Sequence, residues 1–256
     1  MTASSRSAAT EQRGFTLVEI AVVLAIVGLL LGSIMLTLGT RVEQQARSET
    51  QRKLEEAKEL LLAFAVVNGR LPCPATAAAS SGDEAPAGGD VCTSNYGGFL
   101  PASAIGFQPT DSAGYALDAW GNRIRYAVSA TQWGTTPFAR FTKTHVPNSA
   151  TAAWSISQTP ADLLICSGAT ASATACDAGA SAANASTVVA LVYSTGKNGP
   201  SGGTGTHESR NLDGNAMFVI REPDPEGFAH GAFDDQMAWI PVGVLYSRMI
   251  AAGVLP

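Results

Sequence analysis

The hydrophobic pattern divides the chain sharply. Residues 1–14 are polar, and an almost unbroken apolar run follows from Phe15 to about Leu38. Glu19 is the only charge between Phe15 and Thr40. As a helix, such a run is long enough to cross a hydrocarbon core of about 30 Å with some tilt. From Arg41 to Val67 the pattern becomes a stripe, Ala46, Thr50, Leu54, Ala57, Leu61 and Phe64, the spacing of one helical face. Glu49–Lys53 and Arg52–Glu56 fall at i,i+4 on the solvated side. Asn68-Gly69, with Pro72 just beyond, predicts the helix stop. One helix from Phe15 to Val67 would be about 80 Å long at 1.5 Å per residue. An anchor followed by a separate amphipathic helix is the alternative.

After the helix the periodicity shortens. Arg123–Val128 alternates, with Ile124, Tyr126 and Val128 on one face. Leu163–Ile165 and Val188–Tyr193 are continuous apolar runs, as in central strands. Ala216–Ile220 and Met237–Ile240 add two more strands, and a short helix is predicted from Val242 to Ala252. Residues 75–90 and 168–186 are rich in Ala, Ser, Gly and Thr and read as surface loops. The expected fold class is α+β: a long N-terminal helix and a loop-rich antiparallel sheet packed on its upper half.

Composition adds limits. The net charge of -5 and pI near 5.2 argue against a general polyanion binder, so nucleic acid is not an expected partner. Only 14% of residues are charged, which suits an extracytoplasmic protein with long loops. The four cysteines, Cys73, Cys92, Cys166 and Cys176, form no CxxC pair, and there are only three histidines. That disfavours zinc and favours disulfides in an oxidising compartment. Three pairings are open. Nearest-neighbour pairing, Cys73–Cys92 and Cys166–Cys176, is the one preferred here, against a blander reading of four buried thiols.

A carboxylate near the start of an apolar span costs roughly 3 kcal/mol on insertion scales, so Glu19 needs a purpose. A cleaved secretory signal would place it inside the apolar region, and no clear A-x-A site follows that region. A plain membrane anchor gives it no role. The segment Arg13-Gly14-Phe15-Thr16-Leu17-Val18-Glu19 resembles the prepilin-type leader of type IV pilins and type II secretion pseudopilins. That resemblance implies cleavage between Gly14 and Phe15 by a prepilin peptidase, N-methylation of Phe15, and a subunit assembly role for Glu19. In a filament core the Glu19 carboxylate would pair with the Phe15 amine of a neighbour. Five cations follow the span (Arg41, Arg47, Arg52, Lys53, Lys58) against two in the leader (Arg6, Arg13), opposite to the positive-inside rule. The leader motif and the cysteines decide the orientation instead.

Two further resemblances lie in the head. Asp118-Ala119-Trp120-Gly121-Asn122, leading to Tyr126, is similar to the Asp-Pro-Trp-Gly-Asn…Tyr turn of those pseudopilins, with Ala119 in place of proline and Trp120 expected as a core plug. Ser194-Thr195-Gly196-Lys197-Asn198-Gly199, followed by a Gly-rich loop and by Asp213, Asp234 and Asp235, resembles their C-terminal loop. The resemblance implies a calcium site formed by those three carboxylates, against the plainer reading of solvated loop acids. Many major pilins have a proline where this chain has Leu36, which favours a pseudopilin or minor pilin.

Other chemistry is not supported. Gly196-Lys197 lacks the Ser or Thr and the first glycine of a phosphate loop. His207-Glu208 is not followed by a zincin histidine, and no G-x-S-x-G elbow occurs. The expected layout is a leader at 1–14, a transmembrane and filament-core half-helix at 15–40, an amphipathic half at 41–69, and a periplasmic or extracellular head at 70–256. Its expected role is a filament subunit rather than an enzyme. The expected partners are the prepilin peptidase, other pilin subunits, an inner-membrane assembly platform and its ATPase, and the lipid bilayer before assembly. A membrane-anchored binding or enzymatic domain with a borrowed leader is the alternative.

Overall fold

The structure is a computed structural model. It describes residues 14–78, 81–132, 141–144, 161–167, 176, 181–199, 206–224 and 231–255, with the backbone alone for 31–40 and 181–186. Two units are present, Met1–Gln45 and Ala46–Pro256.

The first helix, α1, runs Leu17–Asn68. It starts where Thr16 accepts the backbone N–H of Glu19 on its hydroxyl, at 3.2 Å. Thr-x-x-Glu is the sequence of a capping box, and this bond is the cap half of one. In the first unit the apolar residues from Phe15 to Leu30 stand largely exposed, Phe15 at 78% and Leu17 at 88%. Among the described residues no helix is long and apolar enough to cross a membrane. The side chains of 31–40, the second half of the expected span, lie outside the described residues, as do leader residues 1–13.

In the second unit the predicted stripe is the buried one. Thr50, Leu54, Ala57 and Leu61 are fully buried, Leu62 and Ala65 join them, and Phe64 packs at the edge. Lys53 pairs with Glu49 at 3.1 Å as predicted, while Lys58 pairs with Glu55. The expected Arg52–Glu56 pair is not among the ion pairs of the described residues. α1 stops at Asn68, and Gly69 takes the left-handed conformation (φ 66°) that ends many helices.

The elements that follow are β1 Gly98–Phe99, α2 Ala102–Ile105, β2 Arg125–Val128, β3 Leu163–Cys166, β4 Ser181–Ser194, α3 Thr206–Asn211, β5 Met217–Val219, β6 Gln236–Pro241 and α4 Val242–Ala251. The sheet order is β1-β2-β4-β3-β5, with β6 also on β4. β4 therefore has three partners: β2 (Tyr126 opposite Val192), β3 (Leu163 opposite Val188) and β6 (Leu191 opposite Trp239). The sheet is mixed rather than wholly antiparallel. β3 and β5 run parallel because β4 and α3 intervene and return the chain in the same direction.

The residue alternation explains the two cores. Tyr126, Val128, Ala190, Val192, Ala238 and Ile240 pack with α1 and with Leu245, Tyr246 and Met249 of α4. Ala127, Leu191, Tyr193, Phe218 and Met237 fill the opposite face. Strand β4 is buried on both sides from Val188 to Ser194, as its continuous apolar run predicted.

Both disulfides take the nearest-neighbour pairing, Cys73–Cys92 and Cys166–Cys176. Beside the first, Arg70 and Glu84 form a buried two-pronged ion pair at 2.6 and 2.7 Å. Glu84 also accepts the N–H groups of Cys73 and Gly88, each at 3.1 Å. The carboxylate thus meets four donors, which is what makes a buried charge tolerable.

Candidate functional site

The N-terminal motif lies on an exposed helix start. Gly14 and Phe15 precede the first turn, and Glu19 points from an exposed position in that turn. Among the described residues Glu19 forms no ion pair. The helix N-terminus favours a negative charge at that position.

A second focus is the turn at Asp118–Asn122. The Asp118 carboxylate is buried and accepts the N–H groups of Trp120 (2.9 Å) and Asn122 (2.8 Å) on one oxygen. Its other oxygen accepts the Ser194 hydroxyl at 2.6 Å. The turn is fastened to α1 twice. Lys53 donates its Nζ to the Asp118 carbonyl at 3.2 Å, and the Ala119 N–H donates to the Thr50 hydroxyl at 3.1 Å. A proline at 119 would have no N–H to give. Trp120 is only half-buried and plugs nothing. Its aromatic bulk suggested a core position, but the buried anchor of the turn is the small carboxylate two residues earlier.

The third focus is acidic. Glu208 of α3 meets Asp234 and Asp235, which precede β6, and one oxygen from each lies within 4.8 Å of the others. Glu208 and Asp235 are buried, at 1% and 4% exposure. Glu208 accepts the Asn198 side-chain amide at 2.7 Å and the Asp234 N–H at 2.8 Å. Asp234 accepts the N–H groups of Lys197 (2.9 Å) and Asn198 (3.3 Å) on Oδ2. Its Oδ1 is buried without a hydrogen-bond partner and sits against Gly196, where a Cβ would come within 2.1 Å of it. Gly196 (φ 62°) is the residue type that this close approach requires. Asp235 accepts the Asn211 amide at 2.6 Å.

The electrostatics follow from crowding. Burial raises the Asp235 carboxyl to about 8, with Glu208 and Asp234 adding to the rise and Asn211 opposing it. Burial first, and then Glu208, raises Asp234 to about 6, against the pull of the Lys197 and Asn198 amides. Such a group needs protons or a cation. The donors are all oxygen, which fits calcium and not a soft metal.

The predicted ligand Asp213 is not part of this cluster. Its carboxylate pairs with Arg210 at 3.4 Å and accepts the Asn215 N–H at 2.8 Å, closing the turn after α3. Glu208 takes the third position instead. It was visible only as a neighbour of His207, and α3, which turns it inward, carries no apolar periodicity to announce itself. Of the histidines, His207 is buried on α3, and His145 and His230 lie outside the described residues. Arg123 pairs with Asp111 at 2.8 Å and stacks 3.9 Å from the Tyr115 ring, so it is a structural cation.

The family model of the prokaryotic N-terminal methylation motif matches residues 10–35. This is the prepilin-type signature of type IV pilins and pseudopilins, and it spans Gly14, Phe15 and Glu19. No curated protein and no solved structure matches the chain.

Proposed function

We propose that this chain is a structural subunit of a type IV pilus-like filament, a minor pilin or a pseudopilin. A prepilin peptidase cuts after Gly14, and Phe15 becomes the methylated N-terminus. The precursor waits in the bacterial inner membrane on residues 15–40 with its head in the periplasm. An assembly platform and ATPase then move it into the filament. Like patches on successive subunits meet unlike ones, which generates an open helix. Apolar helices leave lipid for equally apolar neighbours, so the hydrophobic gain is small. Specificity then rests on packing and on Glu19 pairing with the Phe15 amine of the next subunit.

The observation that carries this reading is the methylation motif at residues 10–35, with an acidic side chain five positions beyond the cleavage point. The Asp118–Asn122 turn and Leu36 favour a type II secretion pseudopilin over a major pilus subunit. The test is intact mass and N-terminal sequencing of protein from its native membrane. A chain starting at methylated Phe15 supports the proposal. An uncut chain in the presence of the processing machinery refutes it and leaves a membrane-anchored periplasmic domain.

We also propose that the head binds calcium through Glu208, Asp234 and Asp235. The supporting observation is the convergence of three carboxylates, two of them buried, in an all-oxygen setting. The ion would neutralise charge that the fold otherwise leaves to protons. Terbium luminescence or calorimetry on wild type and Asp234→Asn tests it, and equal binding by both proteins would refute the assignment.

A further inference from the structure

The loop from Ser194 to Gly199 has two sides, and each is held by a different part of the head. On one side are the acids. Asp234 accepts the Lys197 and Asn198 amides, and Glu208 accepts the Asn198 side chain. On the other side is the Asp118–Asn122 turn. Asn122 donates its side-chain amide to the Gly196 carbonyl at 2.7 Å. Ser194 donates to Asp118 while accepting the Gly196 N–H at 3.1 Å. Gly199 (φ 64°) approaches Asn122 so closely that a Cβ there would lie 2.7 Å from its side-chain oxygen. The turn in turn grips α1 through Thr50 and Lys53. Thr50 is the first fully buried residue of α1 in the second unit, so this grip is where the head begins to hold the helix.

We propose that the Ser194–Gly199 loop is a mechanical bridge: occupancy of the Glu208–Asp234–Asp235 pocket by a divalent cation tightens the hold of the head on α1 at Thr50–Lys53. The inference rests on the calcium reading for its trigger. The path alternates hydrogen bonds with single peptide links: Asp234 holds the Lys197 N–H, the adjoining Gly196 carbonyl accepts Asn122, Asn122 donates its N–H to Asp118, and the adjoining Ala119 N–H donates to Thr50. Its last bond depends on alanine at 119, because a proline would leave Thr50 without that donor. Fixing the loop on the acidic side removes freedom that the turn would otherwise share, so the two ends are linked reciprocally.

The experiment is hydrogen exchange of the full chain in detergent micelles, disulfides intact, with calcium or with chelator, alongside terbium binding. Calcium should slow exchange at Lys197, Asn198 and Asp234. It should also slow exchange at Ala119, Asn122 and the Thr50–Leu54 stretch, by about fivefold or more. Asn122→Ala should keep the local effect, lose the remote one, and weaken calcium binding by the same factor. If calcium binds and the slowing stays within Ser194–Gly199 and Asp234–Asp235, the bridge is overturned and the calcium reading survives. If no calcium binds, that reading is overturned, and a thermal double-mutant cycle of Asp234→Asn with Thr50→Val decides the bridge. No hydrogen bond joins these two residues directly, so additive effects would sink it, and a non-additive result that Asn122→Ala abolishes would sustain it.

Discussion

Raising the pH should destabilise the metal-free head, and the reason lies at Asp235. Its carboxyl titrates near 8 in the fold against 3.8 for the unfolded chain. A raised folded value means that the native state holds a proton which the unfolded state has lost. The stabilisation is complete below the unfolded value and disappears as pH climbs through the folded one. Between pH 6 and 8 one such proton changes stability by at most about 3 kcal/mol, since each unit is worth about 1.4. Relaxation of the site and water entry reduce this to a working figure of about 2 kcal/mol. In a domain of this size that lowers Tm by roughly 4–8 °C. Glu208 and Asp234 reinforce the rise, and Arg125 and the Asn211 amide oppose it. Asp111, whose carboxyl is held low by Tyr115 and Arg123 against the effect of burial, acts in the other direction but only in acid. Calcium competes with the protons, so at a hundredfold excess over Kd it should restore about 2.7 kcal/mol where the acids are ionised, and less at low pH. Melting curves in chelator and in calcium at the two pH values measure this. A metal-free Tm that is flat or rises from pH 6 to 8, or an unchanged slope in Asp235→Asn, would refute the reasoning.

Three other outcomes follow from the contacts. Glu84→Gln leaves Arg70 buried without its counter-charge and should cost about 3–5 kcal/mol in urea unfolding; a loss under about 1 kcal/mol would mean that water reaches the pair. Cys73→Ser with Cys92→Ser opens a loop of 19 residues and should cost about 3 kcal/mol by the same assay, and an unchanged midpoint would show that the unfolded chain is not constrained by the bridge. Glu19→Ala should be processed to a Phe15 start yet enter filaments poorly, and filaments of wild-type abundance by electron microscopy would remove its pairing role.

Long-period signals were the most legible in the sequence. The stripe through Thr50, Leu54, Ala57 and Leu61 names the buried face of α1, because a helical face repeats over many turns and one deviant residue does not hide it. The runs at Leu163 and Met237 mark β3 and β6, and the run at Val188 marks the buried part of β4, whose start at Ser181 lies within residues read as a surface loop. The parallel β3–β5 pair was not legible, because residue alternation carries no strand direction. Trp120 misled because size suggests burial, whereas the turn needed a short acceptor at Asp118. At the acidic site Asp234 and Asp235 were readable as loop carboxylates. Glu208 was not, because a six-residue helix has too few turns to display a face. What separates it from Asp213 is that Glu208 is buried beside Asp234 whereas Asp213 turns to Arg210, a tertiary fact.

The position of β4 has a consequence for the order of events in the life of the molecule. This strand is the shared wall of β2, β3 and β6, yet it lies late in the chain, and β6 and α4 come later still. Strand β2 has β1 on one side but lacks its second partner until residues 190–193 of β4 are in place. The helix face at Leu54 and Leu61 has no complete cover until Leu245 and Met249 arrive. A head built this way cannot be finished piecemeal. In a subunit of the proposed kind, maturity would be announced by the arrival of α4, and a chain interrupted before it would offer the assembly machinery an unclosed core instead of a usable part.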